Sequence, residues 1–140
     1  MKNVTKVTLF LLLFGISINS NAQFLKDVQT KSIVENVSAS DFSAKINAEK
    51  NLQLLDIRTI GEYKSGHLKN AKLINFYDPN FAKNIEAAGL DKNIPVYIYC
   101  RSGNRSGHAV ALFKRLGFKH IVNLAYGIND WYRSGLPIEK

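Results

Sequence analysis

From residue 33 to the end of the chain, short apolar runs alternate with amphipathic segments. Each run is five or six residues long and is bounded by polar or turn-forming residues, which is typical of strands. The segments between the runs carry apolar residues at helical spacing, and Ser38 with Asp41 three residues later matches a helix-opening capping box. We predict strands at 33–37, 52–57, 71–76, 95–99 and 120–124. We predict helices after Ser38, around Glu62 and Tyr63, and at 80–89, 106–116 and 127–135.

This alternation predicts an α/β domain with a mainly parallel central sheet and helices on both faces. The run 95–99 is apolar throughout, as expected for a strand that is covered on both faces. In such sheets a ligand binds beyond the carboxyl ends of the strands. Cys100, the only cysteine in the chain, follows this run directly, so we expect it to belong to a functional site.

The first residues have the layout of a secretory signal peptide. Two lysines precede an apolar run at 7–18, and Ser20 and Ala22 are small residues three and one positions before Gln23. The apolar run is too short to cross a bilayer, which takes about 20 residues, and this disfavours an uncleaved anchor. We therefore expect a signal peptide at 1–22 and an exported, periplasmic protein that has no contact with the membrane after cleavage.

The rest of the chain is expected to form a flexible segment at 23–32 and one domain at 33–140. The formal net charge of the whole chain is +8, which favours anionic partners. Its lysines and arginines are scattered rather than clustered, so we expect small anionic ligands and no nucleic acid. One cysteine cannot form an intrachain disulfide, so the domain is not a disulfide scaffold.

The loop after the run 95–99 has a composition that stabilises an anion at the cysteine sulfur. Gly103 permits a left-handed backbone, so successive N–H groups can point inward, and a helix opening at about Ser106 adds its unpaired amides. Arg101 and Arg105 add positive charge. We expect a lowered pKa and a nucleophilic thiolate at Cys100. The alternatives are an inert, buried cysteine and arginines that are merely solvated.

Three stretches of the chain resemble the rhodanese (thiosulfate sulfurtransferase) family. The resemblance is to a single-domain, exported member of that family. They are LLDIRTIGEYKSGHLKNA (54–71), VYIYCRSGNRS (96–106) and GFKHIVNLAYGINDWYRSGLPI (117–138). The resemblance implies that Cys100 carries sulfur as a persulfide. It also implies that the loop binds the transferred sulfur through Arg101, Ser102, Gly103, Asn104 and Arg105. Protein phosphatases and arsenate reductases have a related loop that is one residue longer, so this spacing favours a sulfane sulfur over a phosphate.

Several further residues are expected to support the site rather than react. Asp56 and Arg58 follow a strand and can bind loop amides or each other, Ser106 opens the helix, and Glu62 either caps a helix or pairs with Arg58. His67 is expected to be a hydrogen-bonded turn residue. His108 and His120 lack partners at ligand spacing, and Trp131 is expected in the core; we expect neither a metal nor a cofactor.

The chain departs from the family pattern at two positions. Asn70 stands where the family often has glycine, and Asn tolerates a left-handed backbone. Tyr126 replaces the first residue of a Gly-Gly pair, which places a bulky side chain near a turn that borders the site.

Two functions remain open from the sequence. The first is a sulfurtransferase that takes sulfur from an anionic donor such as thiosulfate and passes it to a thiol, to cyanide or to a protein acceptor. The second is a non-catalytic docking or persulfide-carrying module. The intact Cys100 and its basic loop favour the first, because a docking module needs no thiolate.

Overall fold

Strands and helices alternate along residues 31–140, which are the part of the chain that the computed structural model describes. The predicted signal peptide at 1–22 and the segment 23–30 lie outside the described residues. Residues Ser32–Lys140 form one compact unit. Within the described residues, no helix has both the length and the apolar character that crossing a membrane requires. The elements are β1 (Ile33–Val37), α1 (Ala39–Ala48), β2 (Gln53–Asp56), α2 (Ile60–Lys64), β3 (Lys72–Leu73), α3 (Phe81–Ala87), β4 (Val96–Tyr99), α4 (Asn104–Arg115), β5 (His120–Leu124) and α5 (Gly127–Arg133).

The five strands form one sheet in the order β1-β5-β4-β2-β3, and every neighbouring pair is parallel. This confirms the predicted α/β class with its parallel sheet. β4 occupies the centre of the sheet, and all four of its residues are buried. The carboxyl end of β4 therefore lies between the ends of β2 and β5, and Cys100 is the residue that follows it.

Side chains that alternate along the strands divide the core into two layers, one on each face of the sheet. One layer joins Val96 and Ile98 of β4 to the buried faces of α3 and α4. The other joins Tyr97 and Tyr99 of β4 to α1 and α5, with Trp131 among its buried residues. Helices thus cover both faces, as predicted, and the fully apolar character of β4 follows from this double coverage.

The third predicted strand is much shorter in the structure than in the prediction. Residues 71–76 were expected to be extended, but only Lys72 and Leu73 form ladder pairs, because β2, their partner, ends at Asp56. Beyond that point the amides of Ile74 and Phe76 still donate to the carbonyls of Asp56 and Ile57 while the chain turns away. The apolar pattern of this stretch therefore comes from burial and not from strand pairing.

Candidate active site

The sulfur of Cys100 is fully buried and accepts three hydrogen bonds from its own loop. The donors are the amide of Gly103 at 3.2 Å, the amide of Ser106 at 3.4 Å and the hydroxyl of Ser106 at 3.4 Å. Burial alone would raise the pKa of the thiol. The hydrogen bonds from Ser106 and Gly103, together with the nearby backbone N–H of Ser102, outweigh burial and hold the pKa of Cys100 below its ordinary value. A lowered pKa increases the fraction of Cys100 that is a thiolate at neutral pH.

The helix that follows the loop begins earlier than the sequence pattern indicated. We predicted an opening at about Ser106, but α4 starts at Asn104, with Gly103 as its N-cap residue at φ 91°. Ser106 therefore lies in the first turn, where backbone amides have no carbonyl partner within the helix. This position explains why both its amide and its hydroxyl reach the sulfur.

Two glycines let the segment after β5 approach the cysteine loop closely. A Cβ at Gly103 would lie 1.8 Å from the carbonyl oxygen of Ala125. Gly127, at φ 62°, would place a Cβ 2.4 Å from the carbonyl carbon and oxygen of Arg101. Neither position has room for a side chain, so the approach of the two segments depends on glycine at both.

Backbone amides of α5 fix the orientation of the first peptide groups in the loop. Ile128 donates its amide to the carbonyl of Cys100 at 2.8 Å, and Asn129 donates to the carbonyl of Arg101 at 3.1 Å. The C=O of Arg101 and the N–H of Ser102 belong to one trans peptide and point in opposite directions, so drawing the Arg101 carbonyl toward α5 turns the amide of Ser102 the other way, toward the sulfur. The contact between α5 and the loop thereby helps to form the anion cradle.

The guanidinium of Arg105 binds a carboxylate and makes no hydrogen bond with the sulfur. Its two terminal nitrogens donate to Glu62 at 2.8 and 2.7 Å, and its carbon lies 5.4 Å from the centre of the Tyr77 ring. The Arg105 hydrogen bonds, opposed by burial and assisted by Thr59, lower the pKa of Glu62 to about 2. The expected pairing of Glu62 with Arg58 is therefore wrong, because Arg58 is already bound elsewhere. The expected capping role is confirmed, since Glu62 forms a capping box with Thr59.

Asp56 and Arg58 bind each other in a buried network beneath the site. The guanidinium of Arg58 donates to both oxygens of Asp56, at distances of 2.5 to 3.0 Å, and also to the carbonyl of Gly66 at 2.8 Å. The hydroxyl of Tyr99 donates to Asp56 at 2.6 Å and accepts from the amide of Leu68 at 3.1 Å. These groups brace the turn after β2 against β4.

The other predicted loop residues turn their side chains outward. The side chains of Arg101, Ser102 and Asn104 are exposed. Tyr126, which the sequence placed near the site, is 62% exposed, as is Tyr77 at 64%. Both tyrosines follow strand ends at the same edge of the sheet as Cys100.

Residues outside the reactive loop occupy the positions expected from the sequence. Asn70 adopts a left-handed backbone at φ 65°, in place of the glycine common in the family. His67 stacks on Tyr63 at 3.8 Å and contacts the carbonyl of that residue through Nδ1 at 3.1 Å. Trp131 is buried. Among residues 31–140, no cluster of three or more His, Cys, Asp or Glu side chains is arranged to hold a metal ion.

Sequence reasoning missed the contributions of Tyr77, Tyr99 and α5 to this site. The sequence marks Tyr99 only as a strand residue, and nothing in the local pattern indicates that its hydroxyl contacts Asp56, 43 positions away. The pairing of Arg105 with Glu62 spans the same separation. A local signal did exist for Glu62, because Thr59 three residues earlier completes the capping-box pattern.

Comparison with known proteins places this geometry in a family. The family model for the rhodanese-like domain matches residues 38–134, and the chain belongs to that family. A sulfurtransferase of Allochromatium vinosum is 33% identical over 106 residues, which cover 76% of this chain and 95% of that protein. The solved structure of a rhodanese-like domain protein from Staphylococcus aureus is 31% identical, with a TM-score of 0.60, and the match covers 79% of this chain and 99% of that one.

A third relative is longer than this chain. YrkF of Bacillus subtilis, named as a candidate sulfur carrier protein, is 32% identical over 103 residues. The match covers 74% of this chain and 54% of YrkF, so the chain spans about half the length of that relative. The resemblance inferred from the three sequence stretches is thus confirmed, and the chain is a member of a family of sulfurtransferases and sulfur carriers.

Proposed function

We propose that the protein moves a sulfane sulfur from an anionic donor such as thiosulfate to a thiophilic acceptor, through a persulfide on Cys100. The main support is the set of hydrogen bonds that the Cys100 sulfur accepts from Gly103 and from the amide and hydroxyl of Ser106. Each of these donors favours a negatively charged sulfur over a neutral thiol. The same donors can hold the outer sulfur of a persulfide, which is also anionic.

The proposed reaction has two displacement steps and needs no cofactor. The Cys100 thiolate attacks the outer sulfur of thiosulfate, the S–S bond of the donor breaks, and sulfite leaves with the electron pair. The acceptor (cyanide in an assay, otherwise a thiol or a protein) then attacks the outer sulfur of the persulfide. The S–S bond on the protein breaks and the Cys100 thiolate is restored. This is covalent catalysis in which the enzyme alternates between two forms.

Mass spectrometry of the protein after incubation with thiosulfate tests the proposal. We expect one added sulfur, located on Cys100, and its loss after addition of cyanide. Cys100→Ser should show neither the added sulfur nor turnover, because a serine oxygen cannot form the persulfide, while its circular dichroism spectrum matches that of the wild type. Sulfur transfer by Cys100→Ser at a rate near that of the wild type would contradict the covalent mechanism.

A non-catalytic carrier or docking role is the second candidate. One observation favours it: the matched relative YrkF is named as a candidate sulfur carrier. A carrier would take up one sulfur and release it only to a specific protein. An enzyme would turn over many equivalents of thiosulfate with cyanide. Steady-state turnover by the purified protein therefore separates the two roles.

We also propose that the protein works outside the cytoplasm, in the periplasm. The support is the sequence of residues 1–22, with a basic start, a short apolar run and small residues before Gln23. In an oxidising compartment, an exposed thiol is readily oxidised. The burial of Cys100 within its loop is compatible with such a location.

A further inference from the structure

Four basic residues from separate parts of the sequence come together at the edge of the sheet opposite Cys100. Lys92 lies in the turn before β4, Lys114 and Arg115 end α4, and Lys119 lies in the turn between α4 and β5. The amide of Lys119 donates to the carbonyl of Lys92 at 2.9 Å, which joins the two turns. We call these four residues the basic edge.

The positive charge of the basic edge is not neutralised by carboxylates. The ammonium of Lys92 lies 5.9 Å from the centre of the Phe118 ring, and the other three side chains are exposed. Among residues 31–140, none of the four forms an ion pair. Asp91 is the only carboxylate in the two turns, 88–95 and 116–119. Four positive charges less that of Asp91 leave a net charge of +3.

The dipole of α4 accounts for only part of this charge. Cations near a helix C-terminus stabilise the helix, and Lys114 and Arg115 lie in its last turn. Lys92 and Lys119 lie outside α4, so helix stability gives no reason for them. Next to them, Ile33 is 59% exposed and donates its amide to the carbonyl of Lys119 at 2.8 Å. The edge thus combines clustered positive charge with an exposed apolar side chain.

This composition suits a layer of anionic headgroups better than a protein partner. Protein interfaces are enriched in aromatic residues and arginine and depleted in lysine, whereas three of the four basic residues here are lysines. The exposed Tyr77 and Tyr126 lie at the opposite edge, beside the cysteine loop. Lysines that flank an exposed apolar side chain are typical of surfaces that bind anionic lipid.

We propose that the basic edge binds an anionic phospholipid surface, with the side chain of Ile33 inserted among the headgroups. α4 has 12 residues, so it is about 18 Å long and separates the cysteine loop from the bound edge by that distance. Cys100 thus faces away from the lipid. A peripheral contact of this kind needs no spanning helix. It replaces the expectation, drawn from basic residues that are scattered along the sequence, that the mature protein has no contact with the membrane.

Vesicle binding by protein that lacks residues 1–22 tests the proposal. Their removal excludes the apolar run 7–18 from the assay and leaves the compact unit Ser32–Lys140 complete. Vesicles of phosphatidylcholine, with or without an equal amount of phosphatidylglycerol, are sedimented and the bound fraction is measured. We expect binding only to the vesicles that contain phosphatidylglycerol, and release as the salt concentration is raised. Equal binding to both kinds of vesicle would overturn the proposal.

Substitutions separate the basic edge from the net charge of the protein. Lys114→Gln combined with Lys119→Gln should weaken binding at least about fivefold, because each lysine near an anionic surface adds to the attraction. Lys64→Gln combined with Lys69→Gln removes the same charge from exposed positions around α2, and it should weaken binding less than about twofold. Equal weakening by the two double variants would mean that net charge alone attracts the protein, which would overturn the proposal.

Two further measurements test the partner and the orientation. Soluble poly-glutamate represents an acidic protein, and stronger binding to it than to the vesicles, at equal concentration of negative charge, would overturn the proposal. Amide NMR signals are then recorded with bicelles of the same lipids that carry a gadolinium-chelating lipid. The signals of Gly117 and Lys119 should broaden, and those of Ser102 and Asn104 should not. Broadening of the loop signals instead would show that the opposite edge contacts the lipid.

Discussion

The carboxylate of Glu62 binds both terminal nitrogens of Arg105, at 2.7 and 2.8 Å, and so ties α2 to the start of α4. Glu62 also accepts hydrogen bonds from the amide and hydroxyl of Thr59, both at 3.0 Å. The loop that carries Cys100 is therefore held from outside by a partly buried ion pair. Arg105 therefore has a structural role in addition to supplying positive charge. Its ion pair with Glu62 fixes the start of α4, whose amides reach the sulfur.

The ion pair makes the stability of the domain depend on pH in a defined direction. Glu62 has a pKa of about 2 in the folded protein, below its ordinary value of 4.5, because Arg105 donates to the charged form. The unfolded chain therefore takes up this proton first as the pH falls. The pair contributes fully above about pH 5, and its contribution is lost toward pH 2. We expect the loss to be about 1–2 kcal/mol of the free energy of unfolding, after solvent screening is allowed for.

Urea unfolding at several pH values between 7 and 2, on wild type and Glu62→Gln, measures this contribution. The variant should be less stable at pH 7, and the two curves should converge toward pH 2. Glu86→Gln alters an exposed glutamate on α3 that forms no ion pair among residues 31–140, and it should follow the wild type throughout. A constant difference between wild type and Glu62→Gln across this range would contradict the assignment.

Local patterns were enough to predict the elements and the reactive residue, because burial and helix capping act over a few positions. The Ser38 cap, the left-handed Asn70 and the position of Cys100 at a strand end were all readable from neighbouring residues. The predicted start of α4 was two residues late. The apolar spacing begins only after the first turn of the helix, because the residues of that turn lie around the sulfur and do not pack in the core.

Contacts between distant residues could not be predicted in the same way. In the sequence, both Asp56 and Glu62 were possible ion-pair partners for Arg58. Only the pairing of β2 with β4 in the sheet shows that Asp56 is the carboxylate that binds it. Likewise, the amides of Ile128 and Asn129 gave no sequence signal, because any non-proline residue has an amide. Their role appears only when the topology brings α5 to the end of β4.

The exported form is predicted to begin at Gln23. Ser20 and Ala22 provide the small side chains that a signal peptidase accepts before a cut, after an apolar run of suitable length. N-terminal sequencing of the protein recovered from the periplasmic fraction of expressing cells checks this. Recovery of a chain that retains residues 1–22 in the membrane fraction would show that the segment is an uncleaved anchor.

We expect Gly127→Ala to distort the loop that carries Cys100, although Gly127 is far from Cys100 in the sequence. A Cβ at this position would lie 2.4 Å from the Arg101 carbonyl and 2.5 Å from that of Cys100, and the backbone is left-handed at φ 62°. We expect a loss of about 1–3 kcal/mol in the free energy of unfolding and a fall in sulfur transfer of at least about tenfold.

Gly107→Ala is the matched control for this substitution. A Cβ at Gly107 meets nothing within 4 Å, and the residue lies within α4, so the change should stabilise the protein by up to about 1 kcal/mol. Urea unfolding and the thiosulfate assay on both variants provide the measurements. If Gly127→Ala behaved like Gly107→Ala, the close approach of α5 to the loop would not be needed for function.

Ser106→Ala should weaken the nucleophile without removing it. The substitution deletes the hydroxyl that donates to the Cys100 sulfur at 3.4 Å but keeps the amide, which donates at the same distance. Loss of one donor to the anion raises the pKa of Cys100, so a smaller fraction of the protein carries a thiolate at neutral pH. We expect the rate of persulfide formation at pH 7 to fall about three- to tenfold, with partial recovery as the pH is raised.

The pH dependence of Cys100 alkylation by a small reagent reports the pKa directly, with Ser134→Ala, at the exposed end of α5, as the control. An unchanged alkylation profile in Ser106→Ala would mean that the backbone amides alone stabilise the thiolate.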